Sequence, residues 1–251
     1  MDIVLEIFLL ALVTCFTSAF AAMLGQGGGL MLMAVLPGFV PAPALIGIHS
    51  VVQASSNGSR AYLSHKHINW PIIWPVAIGI VIGAATILPF IPLLNWQWMQ
   101  GVIAIYILWL TWGKLISLPK FFPCKFTFKH ILVQPFIRLG ILQGSLGMAL
   151  GATGPLGSAL LLSQGLSKDG IVASNSVIML ASHLVKILFF SILGVQLLNH
   201  ALLLVCLCLA AIIGSIIGSR FRNHLPESIF FPLFKGLLTL LALRMLFLAI
   251  P

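Results

Sequence analysis

A stripe of polar side chains interrupts the apolar segment near residue 50 and recurs, with changes, near residue 180. The first copy has the spacing i, i+4, i+7 and i+11 and consists of His49, Gln53, Ser56 and Arg60. Residues at this spacing share one face of an α-helix. The second copy keeps these offsets with Asn175, Met179, Ser182 and Lys186, and Asn57 and His183 form a further equivalent pair. Polar side chains on one face of a membrane helix indicate a pathway for a polar solute.

The two basic residues of these stripes would supply charge for an anion, although each basic residue also has a structural interpretation. Arg60 stands near a predicted helix end, where its side chain could instead reach the membrane interface and fix the topology. Lys186 stands well inside its apolar segment, which favours a functional role. The neighbouring serines could pack helices together, and His49 and His183 could be ordinary core residues.

Two glycine-bearing breaks precede the stripes, at Gly25-Gln26-Gly27-Gly28-Gly29 and at Gly151-Ala152-Thr153-Gly154-Pro155. Glycine permits turns and close packing, which is one interpretation of both breaks. A break inside the membrane also exposes backbone N–H groups at the start of the next helix, and these groups attract anions together with the helix dipole. Unwound backbone is tolerated at that depth only where it lines a cavity. With two basic side chains and no carboxylate beside them, the breaks predict an anion site.

Composition indicates that lipid is the solvent for much of the surface. Of 251 residues, 60% are hydrophobic and 7% are charged, with a mean hydropathy of +1.15, whereas a soluble domain carries about 25% charged residues. The net charge of +9 comes from basic residues that cluster at the ends of apolar runs, where they set topology rather than bind nucleic acid. The four acids, Asp2, Glu6, Asp169 and Glu227, lie outside the middle of these runs and provide no pair for acid–base catalysis. Cys206-x-Cys208 lacks further ligands, so we predict no metal and no cofactor.

Apolar runs of about 20 residues mark membrane-spanning helices. The predicted fold class is an all-α integral membrane protein with about eight full transmembrane helices, at 4–24, 43–63, 71–93, 97–117, 131–150, 170–192, 199–219 and 228–249. Two short helices, at 29–40 and 155–166, follow the glycine breaks, which gives eight to ten crossings. The distribution of basic loops favours five crossings per half, with both termini outside and a basic cytoplasmic linker at 119–130.

An internal repeat divides the chain into a first half at 1–118 and a second half at 131–251. Residues 25–60 match the sequence 126 positions later without a gap. Equivalent pairs include Gly25 and Gly151, Ser50 and Ser176, Ser56 and Ser182, and Arg60 and Lys186. An odd number of crossings per half makes the second copy inverted relative to the first. Inverted repeats with broken helices are typical of secondary transporters, whose substrate site lies at the repeat interface.

The glycine-rich first break, its weaker echo at Gly151 to Pro155, and the serine-rich helix that follows each break resemble the TauE/SafE family. This family is also called the sulfite exporter or toluene-sulfonate uptake permease family, and the resemblance covers nearly the whole chain. The second break departs from the glycine-rich pattern, because Thr153 and Pro155 stand opposite Gly27 and Gly29. The resemblance implies a bacterial inner-membrane protein that moves sulfur-containing anions such as sulfite, thiosulfate or sulfoacetate, in some members with the proton gradient.

Three functions remain open at this point. A secondary transporter of small anions that works by alternating access is favoured. An anion channel with the same lining is an alternative, and an intramembrane enzyme acting on lipid phosphate is disfavoured because buried acids and a zinc motif are missing. The expected partners are a small anionic solute and membrane lipid, with proton coupling and a homodimer left open. The predicted substrate-binding residues are Gly25, Gln26, Gly27, Gly28, Gly29, His49, Ser50, Gln53, Ser56, Asn57, Arg60, Gly151, Thr153, Gly154, Asn175, Ser176, Ser182, His183 and Lys186.

Overall fold

The computed structural model describes residues 3–94, 96–112, 133–222 and 227–249. Within these ranges the regular structure is entirely helical and contains no strand, so the predicted all-α fold is confirmed. The predicted linker at 119–130 lies outside the described residues, as do the end of the segment at 97–117 and the start of the segment at 131–150.

Five helices form the first half: α1 (Ile3–Leu24), α2 (Gly28–Val35), α3 (Ala42–Leu63), α4 (Trp70–Ile87) and α5 (Trp96–Trp112). A 3₁₀ turn at Leu36–Gly38 extends the short helix α2, and another at Leu88–Leu93 extends α4. Both α3 and α4 carry a proline in their first turn, a position where the missing N–H costs no helical hydrogen bond.

Five helices follow in the second half: α6 (Val133–Leu150), α7 (Gly154–Ser163), α8 (Lys168–Ile192), α9 (Ala201–Phe221) and α10 (Glu227–Ala249). A 3₁₀ turn at Leu197–His200 leads directly into α9. The serine Ser167 caps α8, because its side chain accepts a hydrogen bond from the Gly170 N–H. The short helices α2 and α7 therefore begin within the glycine breaks, one residue before the predicted starts at 29 and 155.

Large apolar side chains cover the outside of the bundle. Phe8 is 57% exposed, Trp74 is 63% exposed and Leu209 is 56% exposed, and a surface of this kind is suited to lipid rather than water. Four helical segments in the described ranges are long and apolar enough to cross a membrane by length and composition: Ile3–Leu24, Trp70–Leu93, Lys168–Ile192 and Leu197–Phe221. The protein is thus a multi-pass membrane protein, whereas the larger number of eight to ten crossings stays a prediction.

The helix bounds repeat at a fixed spacing. The starts of α7 and α8 lie 126 positions after those of α2 and α3, and the end of α6 lies 126 positions after the end of α1. The starts of α9 and α10 lie 131 positions after those of α4 and α5. The extra five residues therefore fall between the start of α8 and the start of α9, because α8 is three residues longer than α3 and the connection that follows it is two residues longer.

The two halves pack on each other in an exchanged manner. The first helix of each half contacts the fourth helix of the other half, since α1 packs against α9 and α6 packs against α4. Glycines allow the backbones to approach closely. Gly79 and Gly83 of α4 lie against the carbonyls of Ile137 and Ile141, where a Cβ would clash with the oxygen. The third helices, α3 and α8, contact each other between these two pairs, so both polar stripes lie at the interface of the halves.

Candidate functional site

A cavity lies where the two glycine breaks meet the helices α3 and α8. The cavity is small, since the centre of a water-sized sphere can occupy about 30 Å³ of it. Both halves of the chain contribute to its wall. The lining consists of Ala21, Gly25, Gln26, Gly27, Gly28, Gly29, Leu30, His49, Gln53, Asn57, Arg60, Ala152, Thr153, Gly154, Pro155, Asn175, Met179 and His183.

The first break turns the chain out of α1 and into α2 through two glycines with positive φ. Gly25 has φ 80° and Gly27 has φ 94°, values in the left-handed region that favour glycine. Gly28 then packs so tightly against α1 that a Cβ would clash with the Thr17 carbonyl oxygen. At Gly29 a Cβ would lie 3.4 Å from Gln53 Oε1, so the backbone here directly faces the polar stripe of α3.

Side chains from both halves hold the carbonyl groups of the first break. His49 Nε2 donates to the Gly29 carbonyl at 2.9 Å, which makes Nε2 the protonated nitrogen, since a carbonyl only accepts. Asn175, the position equivalent to His49 in the second half, donates from Nδ2 to the Gly25 carbonyl at 3.1 Å and to Ser158 Oγ at 2.9 Å. Residues of α3 and α8 therefore fix the break from two sides.

The second break has a similar turn and a different support. Gly151 has φ 81°, nearly the value of its equivalent Gly25. Lys186 Nζ donates to the Gly151 carbonyl at 2.6 Å, and only 2% of the Lys186 residue is exposed. Gln143 Nε2 of α6 donates to the Thr153 carbonyl at 3.3 Å. The ammonium group thus lies on the backbone of the break and does not line the cavity.

Arg60 brings a guanidinium group to the cavity wall. The residue is 4% exposed, and its Nη2 donates to Asn57 Oδ1 at 2.5 Å while its Nε donates to the Ser56 carbonyl at 3.3 Å. Asn57 in turn donates from Nδ2 to the Gln53 carbonyl at 2.7 Å, which fixes the amide that receives the guanidinium. No carboxylate of the described residues forms an ion pair with Arg60. A buried and permanently charged group without a counter-charge is costly, so an anion at this wall would be stabilised.

Two histidines face each other across the interface of the halves. The rings of His49 and His183 are 5.6 Å apart between centroids and 64° apart in plane, an edge-on arrangement. Both rings line the cavity and both are buried. Among the described side chains of the lining, only these imidazoles ordinarily exchange a proton between pH 5 and 8.

Several buried polar atoms around the cavity have no hydrogen-bond partner among the described residues: His49 Nδ1, Gln53 Nε2, Gln143 Oε1, Thr153 Oγ1, Asn175 Oδ1 and His183 Nδ1. Buried polar atoms are normally paired, and leaving one unpaired costs about 1–3 kcal/mol. Gln53 Nε2 and the Thr153 hydroxyl are donors, so both match the oxygens of an oxyanion.

The structure brings thirteen of the nineteen predicted site residues to the cavity wall. These are Gly25, Gln26, Gly27, Gly28, Gly29, His49, Gln53, Asn57, Arg60, Thr153, Gly154, Asn175 and His183. The other six, Ser50, Ser56, Gly151, Ser176, Ser182 and Lys186, do not line it. Their roles in binding remain a prediction, and their contacts indicate how they support the wall.

The hydroxyl groups outside the wall bond mainly to helix backbone or to other helices. Ser50 donates to the Ile46 carbonyl at 2.6 Å and Ser176 donates to the Val172 carbonyl at 2.7 Å, the same local bond in both halves. Ser56 lies 3.3 Å from Ser215, between their Oγ atoms, and joins α3 to α9. The hydroxyls of Ser50 and Ser176 are therefore satisfied within their own helices, whereas the Ser56 hydroxyl contacts a neighbouring helix.

Five residues of the cavity wall were not among the predicted site residues: Ala21, Leu30, Ala152, Pro155 and Met179. A sixth residue, Gln143, was also missed, although it does not line the cavity. It is fully buried, and it supports the second break from α6. The signal was present, since an amide side chain interrupts an apolar segment at the position equivalent to Thr17. The described residues contain no group of three His, Cys, Asp or Glu side chains that could hold a metal ion.

These features define a helical multi-pass membrane protein with a small polar cavity lined by both halves of the chain. A family model described as Sulfite exporter TauE/SafE matches residues 10–245 of the chain. The chain belongs to this family, and the family indicates a membrane transporter. Neither a search of curated proteins nor a search of solved structures found a match.

Proposed function

We propose that this protein is a secondary transporter of small anions, in particular sulfur oxyanions or organosulfonates such as sulfite, thiosulfate and sulfoacetate. In this proposal the anion binds in the cavity between the two breaks, and access alternates at the interface of two inverted repeats. The observation that carries the proposal is the buried Arg60 guanidinium at the cavity wall without a carboxylate partner among the described residues. Family members are typically bacterial inner-membrane proteins, so the proposed location is that membrane.

The charge of the site selects the charge of its solute. Arginine stays protonated in proteins. A buried guanidinium group loses its favourable interactions with water, and a neutral cavity wall does not replace them. An oxyanion restores the lost interaction by accepting charge-assisted hydrogen bonds from the guanidinium. A cation or a neutral solute would leave the penalty in place, so the wall disfavours both.

The two breaks contribute unequal numbers of backbone donors. In α2 the first helical bond runs from the Met31 N–H to the Gly27 carbonyl, so the N–H groups of Gly28, Gly29 and Leu30 precede the hydrogen-bonded turns. In α7, Pro155 has no N–H and the Leu156 N–H already donates to the Thr153 carbonyl. The first break is therefore the stronger anion cradle, and it lies on the same wall as Arg60.

Lys186 has a different role in this proposal from its equivalent Arg60. Its ammonium group bonds to the Gly151 carbonyl and does not line the cavity. It supports the backbone of the second break and adds positive potential behind the wall. We therefore assign direct contact with the anion to Arg60 and a positioning role to Lys186.

Alternating access is supported by the exchanged packing of the halves. Equivalent helices make equivalent contacts, α1 with α9 and α6 with α4, which is the pattern of a pseudo-two-fold axis. A structure of this kind can adopt two related arrangements by exchanging the conformations of its halves. Inversion predicts that Lys66, after α3, and Leu198, before α9, are on opposite sides of the membrane. Single cysteines at these positions, in a chain without its native cysteines, should react with impermeant reagents from opposite faces.

The test of the proposed function is flux of radiolabelled thiosulfate and sulfite into proteoliposomes. The wild type should show saturable uptake, and internal unlabelled thiosulfate should accelerate it by counterflow. Arg60→Gln should lose both, whereas Lys66→Gln, which removes an exposed charge beyond the same helix, should retain both. Large single-channel currents without counterflow would support the channel alternative. Uptake of a cation or neutral solute with no effect of Arg60→Gln would refute the proposal.

A further inference from the structure

A second buried arginine lies at the end of the bundle where α1, α3 and α9 end and α8 begins, called here the basic end. Arg222 is 7% exposed and follows directly after α9. Its Nε donates to the Ala22 carbonyl at 2.9 Å, and its Nη2 donates to Ser64 Oγ at 3.3 Å. The guanidinium thus joins the last turn of α1 to the end of α3.

The remaining face of this guanidinium is occupied by a carboxylate. Arg222 Nη1 donates to Asp169 Oδ1 at 2.7 Å, a contact between one nitrogen and one oxygen. The Asp169 side chain is 46% exposed, in contrast to the buried arginine. Lys168 Nζ also donates to the Arg222 carbonyl at 3.4 Å, so the start of α8 is joined twice to the end of α9. A half-exposed partner in a single-oxygen contact is the more easily displaced member of such a pair.

Arg222 lies next to the cavity arginine. Ser64, which receives the Arg222 guanidinium, stands one helical turn after Arg60 and donates its N–H to the Arg60 carbonyl at 3.0 Å. Ser64 therefore links Arg222 to the helical turn that carries Arg60.

The opposite end of the bundle has no such polar group at the equivalent positions. Ile91 is equivalent to Arg222, and Phe190 is equivalent to Ser64. Ile91 is 2% exposed and Phe190 is 1% exposed, so both are packed in the apolar core. Among the described residues, an ion pair of this kind is therefore found at one end of the bundle. Lys66, Lys168 and Arg220 lie at the same end, which the positive-inside rule assigns to the cytoplasm.

We infer that Arg222 is a second anion site, on the cytoplasmic side of the cavity, and that Asp169 occupies this site as an internal competitor until a small oxyanion replaces its carboxylate. The inference rests on the proposed function and adds a residue pair that controls access from one face. When the oxyanion takes the place of Asp169, the contact between α8 and α9 loosens at the basic end. The solute then itself opens its path to Arg60.

The test measures thiosulfate transport at each face separately, in inside-out and right-side-out membrane vesicles. Asp169→Asn removes the competitor and leaves the Arg222 bonds to Ala22 and Ser64 in place, so the variant should fold. Its half-saturation concentration at the cytoplasmic face should fall about fivefold, the factor expected for a partly exposed ion pair. The value at the outer face should stay within about twofold of the wild type, because a one-sided competitor acts at one face. Asp169→Glu, which keeps a carboxylate, should resemble the wild type at both faces.

A charge control and an arginine variant complete the experiment. Glu6→Gln removes one acid in the first turn of α1, far from Arg222, and should change neither face. Arg222→Gln should raise the half-saturation concentration at the cytoplasmic face. An Asp169→Asn variant with unchanged cytoplasmic half-saturation, or with an equal fall at both faces, would overturn the inference. If either result is obtained while Arg60→Gln still abolishes thiosulfate transport, the inference fails and the proposed function stands. If vesicles that contain the wild-type protein transport no sulfur oxyanion, both proposals fail.

Discussion

Replacing Arg60 by glutamine separates a binding role of this residue from a structural role. The guanidinium is buried, and it donates only to Asn57 and to the Ser56 carbonyl among the described residues. If its purpose is to receive an anion, the anion-free protein carries an uncompensated charge there. Removing such a charge is often neutral or stabilising. We therefore expect the anion-free Arg60→Gln protein to unfold at or above the wild-type temperature.

In contrast to its small effect on the stability of the anion-free protein, Arg60→Gln should strongly weaken anion binding. A charge-assisted hydrogen bond contributes about 2–3 kcal/mol, so its loss should weaken affinity about 30- to 150-fold. At a thiosulfate concentration of about 100 times its Kd, the wild type should gain about 2.7 kcal/mol of stability. A variant whose Kd is about 100-fold higher should gain only about 0.4 kcal/mol at the same concentration.

Thermal unfolding of the purified protein in detergent, with and without thiosulfate, measures both quantities. Sodium chloride at equal ionic strength controls for screening, and Lys66→Gln controls for the loss of one positive charge. Lys66 is exposed beyond the end of α3, so this variant should show the full thiosulfate effect. An Arg60→Gln protein that is less stable without anion, yet keeps the full thiosulfate effect, would refute the assignment of Arg60 to the site.

Three further outcomes are expected. Gly28→Ala should destabilise the protein by about 1–3 kcal/mol in chemical denaturation, because the new Cβ would clash with a backbone oxygen. Gly154→Ala should be tolerated, because the new Cβ would contact only a methionine sulfur at 3.8 Å. Lys186→Met should reduce stability by about 1–3 kcal/mol through the unpaired Gly151 carbonyl, with a smaller loss of thiosulfate affinity than Arg60→Gln; a larger loss of affinity would place the ammonium on the anion. If the facing imidazoles carry a proton with the anion, His49→Gln and His183→Gln should each keep thiosulfate counterflow and lose accumulation driven by a pH gradient, measured in proteoliposomes; unchanged accumulation would exclude them as the proton carriers.

The helices could be predicted because their signals are local. Apolar length marks each long segment, and the glycine breaks end α1 and α6 where the backbone needs positive φ, at Gly25 and Gly151. The offset of 126 was also visible in the sequence. The change of offset to 131 was not predicted, because α4 and α9 have few polar residues by which their sequences can be aligned.

The composition of the cavity was predictable only in part. Helical spacing predicts which residues share one face of a helix, but it does not predict which neighbouring helix or cavity each of these residues contacts. Ser56 and Arg60 share the stripe of α3, yet Ser56 meets α9 and Arg60 meets the cavity. The same limit applies to Lys186, whose long side chain reaches a backbone carbonyl that no sequence pattern indicates. The role of Gln143 could not be predicted from the sequence, because its partner, the Thr153 carbonyl, lies beside it only in the folded protein.

Residues that lie 126 positions apart have different roles in the two halves, and this difference gives the cavity its polarity. Arg60 and Lys186 occupy equivalent positions, but one charge faces the cavity while the other holds the second break. His49 and Asn175 are also equivalent, and both donate to carbonyls of the first break. The first break therefore receives support from both halves through its carbonyl groups. Under the proposed function, its N–H groups would then bind the anion, and one charged wall opposite a polar wall would permit release of the anion more readily than two charged walls.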